Sequence, residues 1–148
     1  MDDPGACASS CCHGAAACVF AKALLAHAAR CELAQRQSVG EGDALVCASP
    51  VARVNCGTLA ALMRERAAFA LRLPRPPAPL VHAKALQLQC GGLTALRAQL
   101  QAQPQADVHV MVGLAQERHG SLMDLPWQPM VLAMAAWQPR RRYRGPAP

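Results

Sequence analysis

The sequence predicts an all-α protein, a single small bundle of about four to five helices, and three features carry that expectation. The apolar content is 53% of 148 residues, yet the chain holds only two Trp, two Phe and one Tyr, so Ala and Leu supply most of it. Both residues lose little side-chain entropy in a helix, and a core built from them packs helix on helix at close range. Few segments combine β-branched and aromatic side chains, which leaves little from which to build a sheet. Ser, Asp, Pro and Gly also fall where helices begin and end.

The first helix is expected from about residue 15 to 37, where Phe20, Leu24, His27, Cys31 and Ala34 recur at three- and four-residue steps. Two glycines in the stretch 38–43 (SVGEGD) predict a loop, and a short segment follows to Cys47. Ser49-Pro50 is a helix start, with Ser capping free amides and Pro suited to the first helical position. That helix is expected to reach about Leu73, with Leu59, Leu62, Phe69 and Leu73 on one edge and Cys56, Leu59, Met63 and Ala70 on the next.

The run PRPPAP (residues 74–79) ends it, because proline lacks an amide donor and clashes inside a helix. A third helix is expected over 80–103, with His82, Leu86, Cys90, Leu93, Leu96 and Leu100 as its apolar stripe and Gly91-Gly92 as an interruption. Asp107 caps a helix to about His119, Gly120-Ser121 opens a turn, and a last helix over 126–137 carries Trp127, Met130, Met134 and Trp137 on one side. The resulting organisation is a leader over 1–13, a helical domain over 14–138 and a basic tail over 139–148. No internal repeat, long heptad run or helix-turn-helix spacing is present.

The uncharged stretch 5–21 follows Asp2 and Asp3 rather than the basic residues of a signal peptide, and it is too short and polar to span a bilayer. These features predict a cytoplasmic protein without a membrane segment, in a compartment where thiols stay reduced. The eight cysteines are then ligands, redox groups or buried packing rather than disulfides. The net charge of +6 falls to +2 without Arg140, Arg141, Arg142 and Arg144, so its basic character resides mostly in the tail. That tail is a candidate contact for nucleic acid or an acidic protein face.

No two cysteines are spaced C-x-x-C, so neither the usual zinc knuckle nor a thioredoxin-like site fits. Cys31, Cys47, Cys56 and Cys90 are instead spread through the body, with Cys47 just before a capped helix and Cys90 just before Gly91-Gly92. These four are the expected ligands of a metal centre. An iron–sulfur cluster, of the 4Fe-4S type, ranks ahead of zinc because a cluster accepts ligands from distant segments, and glycine backbone lets it approach. Buried packing is the competing reading, since free Cys behaves as a small hydrophobe.

His27, His82, Cys11 and Cys12 are secondary ligand candidates; Cys7, Cys18 and His13 belong with the vicinal pair in an N-terminal group. His109 and His119 show no pattern. No acidic pair, P-loop, G-x-S-x-G or G-x-G-x-x-G supports catalysis. The functional expectation is therefore a metal-binding accessory, in electron transfer, cluster delivery or redox sensing, working beside a larger protein. The alternative is a helical interaction module with structural zinc or none.

Overall fold

The computed structural model describes residues 17–39 and 42–139. The expected leader, with Cys7, Cys11, Cys12 and His13, lies outside the described residues, as do the tail arginines Arg140, Arg141, Arg142 and Arg144.

The molecule is mixed α/β rather than all-α, because a two-stranded antiparallel sheet stands where the first helix was expected to end. After a short helix α1 (Ala21–Leu25), the chain leaves helical geometry at His27, whose φ is 57°. It then enters β1 (Ala34–Val39), which pairs with β2 (Gly42–Cys47) in a register running from Ala34 opposite Cys47 to Val39 opposite Gly42. The three- and four-residue spacing of Phe20, Leu24, His27, Cys31 and Ala34 therefore does not describe one helical face. Gln35, Arg36, Gln37 and Ser38 are exposed on β1, so the sheet has no hydrophobic face there for sequence patterning to reveal.

Two of the expected end signals act as read, Ser49 and Gly120, whereas Asp107 makes no side-chain cap bond to the helix after it and the helix from Pro50 ends before the proline run. Ser49 caps α2 (Pro50–Ala67), its hydroxyl accepting from the Ala52 amide at 3.2 Å. The helix stops before Leu73 because Arg72 turns left-handed at φ 53° and the Leu73 amide folds back to the Ala68 carbonyl at 2.9 Å. Cys56, Leu59, Met63 and Ala67 form its buried face, whereas Phe69, expected on the apolar edge, is 95% exposed.

Helix α3 (His82–Leu86), a π-helical turn (Gln87–Gly91) and α4 (Gly92–Leu100) follow without interruption. Then come α5 (Val108–His119), a 3-10 turn (Leu122–Asp124) and α6 (Trp127–Ala136). Gly120, at φ 77°, supplies the left-handed residue that ends α5.

The core lies where α2, α4, α5 and α6 pack against one another. Trp127, Met130 and Met134 of α6 are buried in it. Gly91 and Gly92 have ordinary helical dihedrals, so their role is spatial. A Cβ on Gly92 would fall 2.6 Å from Met63 Sδ, and one on Gly91 would fall 3.1 Å from Trp137 Cβ and 3.3 Å from Met134 Cα. The pair lets the π turn approach α2 and α6 closely, and the Gln87 side-chain amide fastens it by donating a hydrogen bond to the Met134 carbonyl at 3.1 Å.

Gly92→Ala should accordingly destabilise the protein by about 1–3 kcal/mol, overcoming the roughly 1 kcal/mol that Ala otherwise gains over Gly in a helix. Phe69→Ser should shift stability by no more than about 0.5 kcal/mol. Urea denaturation of both variants beside the wild type checks the pair.

A candidate metal centre beneath the hairpin

Main-chain pairing sets the positions of four cysteines. Ala17 bridges to Val46, and the Cys18 amide donates to the Leu45 carbonyl at 3.0 Å, which lays the residues before α1 alongside β2. Cys47 ends β2 opposite Ala34. Cys31 follows Arg30, which bridges to Asp107 at the start of α5. Cys56 projects from the buried face of α2, about two turns beyond its Ser49 cap.

These four thiols line one cavity with the apolar side chains of Phe20, Leu24, Leu33 and Val108. Arg53 and His109 also line it and supply its basic side chains. About 20 Å³ is free, enough for one water-sized body. All five cysteines of the described residues are free thiols.

Three of the expected ligands, Cys31, Cys47 and Cys56, thus meet, and the fourth thiol beside them is Cys18. Cys90 is fully buried in the helical core and does not line the cavity. Burial alone raises its pKa, with no neighbouring thiol contributing. The adjoining glycines face Met63, Met134 and Trp137, so they serve helix packing. His27 is exposed, and His82 Nδ1 lies 3.1 Å from Lys22 Nζ.

Sequence reasoning missed His109. Its Nδ1 lies 3.4 Å from Cys31 Sγ, although 77 residues separate them. No periodicity links these two residues; the Arg30–Asp107 bridge and the Asp107 side chain unite their segments. Cys18 had a faint signal, since Val19-Phe20 beside it marks the start of the buried chain.

The thiols are close enough to sense one another. Burial, followed by the nearby Cys31, Cys18 and Cys47, pushes Cys56 up to about 12. Burial also raises Cys18, opposed by a hydrogen bond from the Phe20 amide and reinforced by Cys31 and Cys47. Cys47 Sγ donates to the Ser49 carbonyl at 3.3 Å. Burial therefore favours the protonated thiols of Cys18 and Cys56, and a cation bound by them must displace protons. Arg53 stands where it can offset the negative charge this leaves.

Among the described residues no helix is long and apolar enough to cross a membrane. No protein-family model, curated protein or solved structure matches the chain.

The thiol environment gives a signed pH dependence. An unfolded Cys56 releases its proton near its ordinary value of 9.0, whereas the folded one holds it to about 12. The unfolded state then binds fewer protons, so the metal-free protein loses stability as pH rises from 9 towards 12, by at most about 4 kcal/mol from this thiol. Urea midpoints between pH 8 and 11 should fall in the wild type and fall less in Cys56→Ala.

Proposed function

We propose that Cys18, Cys31, Cys47 and Cys56 hold an iron–sulfur cluster, and that the protein is a small redox, electron-transfer or cluster-delivery accessory in a reducing compartment. The observation that carries this reading is the convergence of four free thiols, from four separate stretches of chain, on one apolar cavity. Packing alone gives hydrophobic cysteines no reason to gather, as Cys90, buried apart from them, illustrates.

The spread of the thiols favours a cluster. A single tetrahedral zinc with bonds near 2.3 Å holds its sulfurs roughly 3.8 Å apart. Among the described residues, the group whose ligand atoms all lie within 4.8 Å of one another is Glu32, Asp107 and His109, and it includes no cysteine. A cluster distributes its thiolates over several irons and accommodates a wider set. The free volume of about 20 Å³ favours the second reading, a structural zinc ion, because an inorganic core is seated only if the thiols swing outward.

Anaerobic purification with iron, sulfide and zinc analysis separates these readings. A brown protein with matched iron and sulfide is expected, and Cys→Ser at position 18, 31, 47 or 56 should each abolish the colour. Cys90→Ala should keep it, at a stability cost. One tightly held zinc and no iron would replace the cluster with the structural ion. Absence of any metal after reconstitution, or a cofactor indifferent to the four substitutions, would overturn both.

A second consequence concerns protons. Because ligation must deprotonate thiols held high by burial, metal affinity should rise with pH between 6 and 9, with protons released on binding. Competition titrations with a chelator at several pH values measure it.

A further inference from the structure

Beside the thiol cavity lies a group of different chemistry. The turn before β1 and the first turn of α5 bring together Glu32, Asp107 and His109, each offering one ligand atom within 4.8 Å of the others. We propose that this trio is a second cation site, for a borderline divalent ion such as zinc bound through two carboxylates and an imidazole.

The contacts within the trio are longer than direct hydrogen bonds. His109 Nε2 is 3.7 Å from Glu32 Oε1, and His109 Nδ1 is 3.8 Å from Asp107 Oδ2. Both exceed the roughly 3.2 Å limit of a good hydrogen bond. One ion takes a single ring nitrogen, so the spacing that matters is that of one atom from each residue. These atoms lie within 4.8 Å of one another and must close to the roughly 3.4 Å set by bonds of about 2.1 Å to one tetrahedral ion.

The frame is fixed independently of any ion. The Val108 amide donates to the Arg30 carbonyl at 3.0 Å, and the Glu32 amide donates to Asp107 Oδ2 at 2.9 Å. Arg30 Nε holds Asp107 Oδ1 at 3.3 Å. The Asp107 side chain is only 12% exposed, so its carboxylate is ordered beforehand. Cys31 Sγ, 3.4 Å from Nδ1, orients the ring and leaves Nε2 on the Glu32 side.

Charge and ligand type both favour a cation. Two carboxylates face one guanidinium, Arg30, whose side chain is 64% exposed. Imidazole with carboxylate suits a borderline divalent ion; thiolates bind zinc as well, so the two sites are told apart by the ligand spectrum of the bound ion. Three protein ligands leave a fourth position for water. This inference takes none of the four thiols as a ligand, although His109, which touches Cys31, borders both groups.

Cobalt(II) tests it, because thiolate ligation gives a strong near-ultraviolet charge-transfer band that oxygen and nitrogen ligation does not. The full chain, both as purified and stripped of metal, is titrated anaerobically with cobalt(II). One bound equivalent free of thiolate charge transfer is expected, weakened at least about tenfold by Glu32→Gln and by His109→Gln. Glu32 is exposed, so its variant leaves folding intact, which circular dichroism verifies. The proposal is overturned if every bound cobalt carries the thiolate band, or if either variant leaves the thiolate-free affinity unchanged. Loss of the thiolate-bound equivalent alone would bear on the cysteine centre and leave the second site standing.

Discussion

Backbone pairing around the hairpin is the constraint on which the rest of the candidate centre depends. Ala17 meets Val46, Ala34 meets Cys47, and Arg30 meets Asp107. Each is a main-chain bond between segments distant in sequence, and each brings a cysteine or a histidine to the same cavity. None of these residues is placed by its own side chain's hydrophobicity. The chemistry is located by hydrogen-bond register, which a one-residue slip would undo by turning Cys47 to the opposite face. Asp107 reinforces the register by accepting from the Glu32 amide and pairing with Arg30, instead of capping α5 with its side chain.

That constraint explains what the sequence could and could not reveal. Ser49-Pro50 and Gly120 act on their nearest neighbours, so they mark helix ends wherever the chain later folds. The α2 start and the α5 end follow from them. The hairpin has no such local mark. In the sequence Gly40 and Gly42 read as a loop, and β1 carries no buried alternation to contradict a helix. Ala-rich sequence before it fits a helical period without requiring one. Tertiary pairing decided the matter, through hydrogen bonds that spacing does not encode.

The site was legible to the same degree. Cys31, Cys47 and Cys56 could be singled out as cysteines within the folded body, but their convergence with Cys18 arises from the Ala17–Val46 bridge. Cys90 looked equal to them because Gly91-Gly92 follows it. Those glycines answer a different need, the close approach of the π turn to Met63 and Met134. The general lesson is chemical: glycine beside cysteine signals close contact, and what makes that contact is decided by the opposing element.

The two halves of the molecule differ in how they are held. Helices α2, α4, α5 and α6 share an extensive apolar core that includes Cys90. The hairpin contributes little to it; Val46 is the buried hydrophobic residue of β2, and Gln35 to Ser38 of β1 face solvent. A two-stranded hairpin is marginal by itself in water. A metal bound to Cys18, Cys31, Cys47 and Cys56 would join the hairpin, the segments on both sides of α1, and α2 through four strong bonds. Cohesion that apolar burial does not provide would then come from ligation. On this view Cys56 ties the hairpin thiols to the helical core, and metal occupancy and hairpin order would be coupled, so a partner or oxidant that removed the centre would also loosen the surface around it.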